Sequence, residues 1–191
     1  MAKNDKRVQL KSNEILGKKL LILGETGSGK TKLLAEILQE LTWQVDPEEI
    51  TVIDLAPQRT GEIGGKLTDY LNIDSRVRYL SPEKVYTPRL AGTSPEQVLR
   101  YAKLNKKSME PLLNRFVRNV TRVLMLNDIT LYLHLGELQT VLECVRLADT
   151  FSATAYHGSR FDKDFGTGIS VRERQMTEEL AAFMDSIVRI N

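Results

Sequence analysis

The chain has 191 residues, 41% hydrophobic and 27% charged, which is enough apolar sequence for one domain with a buried core. Its net charge of +2 neither demands nor excludes a polyanionic partner. One cysteine, Cys144, rules out an internal disulfide and, with only two histidines, a Cys/His zinc site. Because the sequence carries neither a secretory signal nor a membrane-length apolar run, we expect a cytoplasmic protein without direct membrane insertion.

Predicted strands and helices alternate along the chain. Short apolar or β-branched runs predict strands over 19–24, 50–55, 121–126, 151–156 and 186–190, with a weaker one at 77–80. Helical spacing predicts helices over 30–41, 95–119 (interrupted near Pro111), 136–148 and 172–184, with loops at 81–96 and 158–171. This order favours a largely parallel sheet with right-handed crossovers, in a domain over 18–191 that follows a basic N-terminal arm over 1–17.

The segment GETGSGKT at 24–31 matches the phosphate-loop pattern G-x-x-x-x-G-K-[ST] in full. A predicted strand precedes it and an amphipathic helix follows, which is the context that separates a phosphate loop from a chance match. Loop amides and the helix N-terminus make an anion cradle, Lys30 can reach the β- and γ-phosphates, and Thr31 can ligate Mg²⁺. The predicted nucleotide-binding residues are Gly24, Glu25, Thr26, Gly27, Ser28, Gly29, Lys30 and Thr31.

A phosphate loop also needs an acidic side chain on the Mg²⁺ side, usually at the carboxyl end of another parallel strand. Asp128 follows the run VLML and Asp54 follows TVI, and the third-strand position favours Asp128. Either aspartate could instead cap the next turn. The pair Asn127-Asp128 stands where many such ATPases have Asp-Glu, so Asp128 could polarise water rather than serve Mg²⁺. Glu137 is a more distant candidate for the base.

In layout, the chain resembles the additional-strand P-loop ATPases and, among them, the FtsK–HerA group of translocases and packaging ATPases. The resemblance rests on GETGSGKT, VIDLAP at 52–57, VRYL, VLMLND and the passage 137–158. That passage typically ends in glutamine in the group, whereas His157 stands here. The resemblance implies a three-layer α/β fold with a mainly parallel five-stranded central sheet in RecA-like order.

The same resemblance implies a homo-oligomeric ring that binds ATP and Mg²⁺ between subunits, with an arginine from the neighbour near the γ-phosphate. Candidates for that arginine are Arg146, Arg160, Arg172 and Arg174. Thr154 or His157 would sense the γ-phosphate at the end of the fourth strand. We therefore predict Lys30, Asp128, Glu137 and Arg172 as catalytic residues and Thr31, Asp128 and Asp54 as metal ligands.

Residues 100–122 hold seven basic residues against one acidic residue, and the N-terminal arm is also basic. Both could contact nucleic-acid phosphates, although a solvated helix face is the alternative interpretation of the segment. Its aromatic residue Phe116 is spaced like a core residue, so we expect no base-stacking platform.

The sequence leaves three functions open. They are an ATPase motor acting on nucleic acid, a small-molecule or nucleotide kinase, and a slowly hydrolysing regulatory module. The guanine-reading pattern [NT]KxD is absent, since NKKS at 105–108 lacks the final aspartate, and this favours ATP over GTP.

Overall fold

A computed structural model describes residues 14–61, 65–160 and 163–190. These residues form one six-stranded sheet with helices on both faces. The strands are Lys19–Gly24 (β1), Ile50–Asp54 (β2), Arg78–Leu80 (β3), Val123–Asn127 (β4), Thr150–Tyr156 (β5) and Ser186–Ile190 (β6). The helices are Lys30–Thr42 (α1), Pro88–Ala91 (α2), Pro95–Arg118 (α3), Thr130–Leu133 (α4), Leu138–Leu147 (α5) and Ile169–Ala181 (α6), and two short 3₁₀ turns lie at Pro47–Glu49 and Leu67–Asp69.

Every strand pair is parallel, and the spatial order is β3-β2-β4-β5-β1-β6. Strand β5 lies between β1, which leads into the phosphate loop, and β4, which leads to the acidic candidates. This is the additional-strand arrangement, and the α/β fold class is confirmed. The five-stranded sheet that the resemblance implied is one strand short, because the weaker strand predicted at 77–80 forms as β3 and pairs with β2 from Thr51↔Arg78 to Ile53↔Leu80 at the sheet edge.

Three helix predictions also needed correction. Helix α3 runs unbroken through Pro111, because Met109, Leu113 and Phe116 are fully buried on either side of the exposed proline and hold the helix to the core. The predicted loop 81–96 contains the short helix α2. The last helix starts three residues earlier than expected, at Ile169, directly after Gly168 in a left-handed conformation with φ 77°.

Alternating side chains along the strands build two apolar layers. Leu21 and Leu23 of β1 face a cluster formed with α3, α4, α5 and α6, whereas Leu20 and Ile22 face a cluster formed with α1. Ile15 belongs to the α1 cluster, while residues 1–13 of the predicted basic arm lie outside the described residues. The three-layer architecture follows, and it brings the carboxyl ends of all strands to one edge.

Within the described ranges, no helix combines the length and the apolar character that crossing a bilayer requires.

Candidate nucleotide-binding site

The phosphate loop connects the buried strand β1 to the amphipathic helix α1 at the carboxyl edge of the sheet. Gly27 and Gly29 have φ of 79° and 96°, where a residue with a side chain would be strained. A Cβ atom at Gly24 would collide with the carbonyl oxygen of Ile190 on β6, so this strand end also requires glycine. The loop leads directly into the first turn of α1. The first backbone amides of this helix have no acceptor within it and give its N-terminus a partial positive charge.

The ammonium group of Lys30 lies inside this loop. Its Nζ donates to the carbonyl oxygens of Gly24 at 2.8 Å and Glu25 at 2.6 Å. Burial lowers the pKa of Lys30, while the nearby carboxylates of Asp128 and Glu25 act in the opposite direction. The loop thus holds a partly desolvated cation at its centre, where attraction to an anion is screened less than in water.

The polar residue at the end of β4 that reaches Thr31 is the fully buried Asn127. Its Oδ1 accepts from the hydroxyls of Thr31 at 3.3 Å and Thr154 at 3.0 Å. Its Nδ2 donates to Asp54 Oδ1 at 2.9 Å and to the Gly65 carbonyl oxygen at 3.2 Å. Because both oxygen lone pairs and both N–H groups are engaged, the orientation of this amide is fixed by its partners.

The carboxylate of Asp54 is fully buried and accepts four hydrogen bonds. Oδ1 accepts from the Ala56 amide at 3.2 Å and from Asn127, and Oδ2 accepts from the Leu67 amide at 2.7 Å and the Tyr79 hydroxyl at 2.8 Å. Burial, reinforced by Asp54, raises the pKa of Tyr79 far above its ordinary value, so this hydroxyl stays a donor. Asp54 therefore joins β2, β3, β4 and the segment after β2.

Asp128 adopts a left-handed backbone conformation with φ 57°, which is uncommon for a residue with a side chain. Its amide donates to Thr154 Oγ1 at 2.8 Å, and its Oδ1 accepts from Thr130 Oγ1 at 2.5 Å. Burial raises the pKa of the Asp128 carboxyl, while the Thr130 hydrogen bond and Lys30 act against this shift. The carboxyl lines a small cavity together with Thr26 of the phosphate loop.

Glu137 and Arg172 lie next to each other, at the starts of α5 and α6. Arg172 donates through Nη2 to the Gly136 carbonyl oxygen at 2.8 Å and lies 3.7 Å from Glu137 Oε2. The other oxygen of Glu137 lies 3.3 Å from Lys106 Nζ. Neither Glu137 nor Arg172 is among the described residues that line the phosphate-loop cleft, whereas Lys30 is.

The two candidates for a γ-phosphate sensor differ in their surroundings. Thr154 is buried on β5 and bonded to Asn127, whereas the His157 side chain is exposed and its backbone amide donates to the Gly24 carbonyl oxygen at 3.0 Å.

A cleft of about 450 Å³ opens over the loop, which is within the usual size range of small-molecule sites. Its described lining consists of Thr26, Gly27, Gly29, Lys30, Thr31, Arg59, Gly61, Tyr70 and Arg160. Arg160 was predicted as a candidate arginine for a neighbouring subunit or for a kinase lid, and it lines the cleft of its own chain. Sequence reasoning missed Arg59 and Tyr70, although Arg59 follows β2 by five residues and strand ends meet at this edge.

These residues fit a magnesium–triphosphate ligand unequally. The glycine-rich loop and Lys30 fit the phosphates. Thr31 and Asn127 offer two hard oxygen atoms, the ligand type that Mg²⁺ prefers, but both groups are neutral. The metal would therefore be held mainly by phosphate oxygens and water.

A family model described as the central domain of the helicase HerA matches residues 1–143, which is well over half of the chain. A comparison with curated protein sequences found no significant match.

Solved structures with a similar fold include an ATPase from the type III secretion system of pathogenic bacteria, 13% identical over 92% of this chain and 51% of its own, with a TM-score of 0.43. A protein from Pyrococcus horikoshii OT3 is 9% identical over 95% of this chain and 88% of its own, with a TM-score of 0.46. The Pif1 helicase from Candida albicans is 16% identical over 91% of this chain and 36% of its own, with a TM-score of 0.40. The chain thus spans about half the length of the secretion ATPase.

The family match agrees with the phosphate loop and with the position of β5 between β1 and β4. The chain belongs to the family of the helicase HerA central domain and is a P-loop ATPase of the additional-strand class.

Proposed function

We propose that the chain binds ATP with Mg²⁺ over residues 24–31 and hydrolyses it, as an oligomeric motor or assembly ATPase acting on nucleic acid. The observation that carries the proposal is the Lys30 ammonium group held inside a glycine-rich loop at the start of α1. The missing guanine-reading pattern supports ATP as the nucleotide. In this proposal, residues 18–191 are the nucleotide-binding domain and 1–17 a basic arm.

Each residue of the site receives a role from its surroundings. Loop amides and Lys30 would bind the β- and γ-phosphates. Thr31 and Asn127 would hold Mg²⁺, and the bound metal would neutralise part of the phosphate charge. Asp128, whose pKa is raised by burial, would take a proton from the attacking water. Asp54 would support the metal side through Asn127. Because the amide side chain lacks the charge of an acid, we expect turnover to be slow.

Glu137 and Arg172 are proposed to act only across a subunit contact. Arg172 would have to leave the Gly136 carbonyl oxygen and Glu137 before it could approach the phosphates of a neighbour. Lys106 Nζ lies 3.3 Å from Glu137 Oε1, so this carboxylate is already paired with a cation of its own chain.

A basic stripe on α3 supports the nucleic-acid part of the proposal. Its exposed basic side chains follow one another after three, four, eight and three residues, and the stripe spans about 27 Å at 1.5 Å per residue. They are Arg100, Lys103, Lys107, Arg115 and Arg118. Phe116 is fully buried, and this agrees with its prediction as a core residue. Contact through the stripe would therefore be with phosphates and would weaken with salt.

Neutralising two of these positions tests the stripe. The double variant Arg115→Gln/Arg118→Gln should bind double-stranded DNA more weakly, and the slope of log affinity against log salt should fall by about one unit per lost contact. Fluorescence anisotropy over a salt series measures both quantities. Arg76→Gln is the matched control, because Arg76 is an exposed arginine outside α3 that is paired with Asp74. An unchanged slope in the double variant would leave the stripe as solvated surface.

The overall proposal is tested by ATP hydrolysis with and without double-stranded DNA, together with native mass. We expect DNA to stimulate hydrolysis and the native mass to be a multiple of 21.7 kDa. A monomer whose hydrolysis ignores DNA would contradict the motor role while leaving nucleotide binding intact.

Two alternatives each have an observation in their favour. Arg160 follows β5 and lines the cleft as a lid arginine of a small-molecule kinase would, and a kinase would consume ATP only with an acceptor present. The neutral Asn127 beside Thr31 favours a regulatory module that binds ATP and hydrolyses it very slowly. The hydrolysis assay separates these functions, since only a motor responds to DNA alone.

A further inference from the structure

Arg59 is a cation that the phosphate-loop motif does not include, and it is held in place at the cleft. Its guanidinium carbon lies 4.8 Å from the centre of the Tyr70 ring, and its Nη2 donates to the Tyr70 hydroxyl. Its Nε lies 3.9 Å from Asp69 Oδ2. The side chain is nonetheless 45% exposed, and it lines the same cleft as Lys30 and Thr31. An arginine stacked on a ring and still open to the cleft is pre-organised for an anion.

The connections at the sheet edge indicate which part of the cleft Arg59 faces. Thr31 bonds to Asn127, and Asn127 bonds to Asp54 at the end of β2. Asn127 also donates to the Gly65 carbonyl oxygen, and the guanidinium of Arg59 lies beside Gly65. Arg59 is thus on the Thr31 side of the loop, where the metal and the terminal phosphate of a bound triphosphate would lie.

The charges around the cleft indicate which group Arg59 would bind. The polar group beside Thr31 is an amide, so the metal would be held without help from a carboxylate at that position. The remaining charge of the terminal phosphate must then be balanced largely by the cations that line the cleft, which in the described part of the chain are Lys30, Arg59 and Arg160. A planar guanidinium can donate two parallel hydrogen bonds to phosphate oxygens.

We infer that Arg59 binds the terminal phosphate of the nucleotide from within the same chain and makes the site discriminate triphosphate from diphosphate. The inference rests on the proposed nucleotide binding and deepens it. A purely structural Arg59 would hold the segment after β2 through Tyr70 and Asp69 alone. Loss of Arg59 would then weaken the binding of triphosphate and diphosphate equally, or would weaken neither.

Titration calorimetry with ADP and with the slowly hydrolysed analogue AMP-PNP, both with Mg²⁺, separates these two roles. Arg59→Gln should lower the affinity for AMP-PNP about tenfold or more, as expected for loss of a charge-assisted hydrogen bond, and change that for ADP less than about twofold. Arg76→Gln removes an exposed arginine paired with Asp74 and Asp46, and it should change neither affinity.

The outcomes are distinct. Equal effects of Arg59→Gln on both nucleotides, or no effect, would overturn the inference and leave the proposed function standing. A wild-type chain that binds neither nucleotide would overturn both. If thermal melting shows that Arg59→Gln unfolds, Arg59→Lys carries the test, because it keeps the charge but not the planar pair of donors. AMP-PNP affinity must then still fall relative to ADP affinity.

Discussion

Replacing Lys30 with alanine is expected to reduce ATP turnover to background and to weaken nucleotide binding about ten- to a hundredfold. This range corresponds to the loss of one or two hydrogen bonds to a charged group. Lys30 Nζ, now bonded to the Gly24 and Glu25 carbonyl oxygens, is the cation held inside the loop. Because burial lowers the pKa of Lys30, folding disfavours its charged form, and removing it should cost little stability. Steady-state hydrolysis, titration calorimetry and thermal melting measure the three effects.

Lys32→Ala is the matched control for this variant. Lys32 is two residues further along α1, its side chain is 51% exposed, and it lies 4.0 Å from Glu36. The Lys32→Ala variant should therefore hydrolyse ATP at the wild-type rate. Normal hydrolysis by Lys30→Ala would remove the phosphate loop from the mechanism.

Replacing Asp54 with alanine is expected to lower the free energy of unfolding by about 3–5 kcal/mol, the usual effect of removing one partner from a buried charged network. The change would leave the Ala56 and Leu67 amides, the Tyr79 hydroxyl and one N–H of Asn127 without their acceptor in a buried place. Urea denaturation followed by circular dichroism measures the loss.

Asp74→Ala serves as the comparison, because Asp74 is bonded to the exposed Arg76 and its loss should hardly move the urea midpoint. The measurement also separates two roles for Asp54. A variant as stable as the wild type that needs far more Mg²⁺ to bind nucleotide would make Asp54 a metal ligand rather than a structural anchor.

The parts of the fold that follow from local sequence were predictable. The phosphate loop has a fixed spacing, and the runs around it have a clear period, so β1 and α1 were predicted within one residue of their observed limits. Strand β3 was predicted only as a weaker strand at 77–80, because it has three residues and its place in the sheet depends on pairing with β2. Pro111 signals a break, but burial of its neighbours on α3 outweighs the one hydrogen bond that proline removes.

The site was predictable only where one segment forms it. Residues 24–31 are contiguous, whereas Arg59 and Tyr70 reach the cleft through the course of the chain after β2. The role of Asn127 depends on the register Asp54↔Asn127 between β2 and β4, which sets an amide against a carboxylate. A second acid at position 127 would place two carboxyl groups against each other in a buried site, which disfavours the charged form of both.

The Asn127 side chain has no unused hydrogen-bonding capacity, and one of its partners is the hydroxyl that a metal would need. A metal held by Thr31 and Asn127 would have to replace the hydrogen bond between these two side chains. Breaking one ordinary hydrogen bond costs about 0.5–1.5 kcal/mol, and Asn127 Oδ1 would keep Thr154 as a donor. Filling the proposed site would therefore change the hydrogen bonding at the ends of β2, β4 and β5, which meet at Asn127.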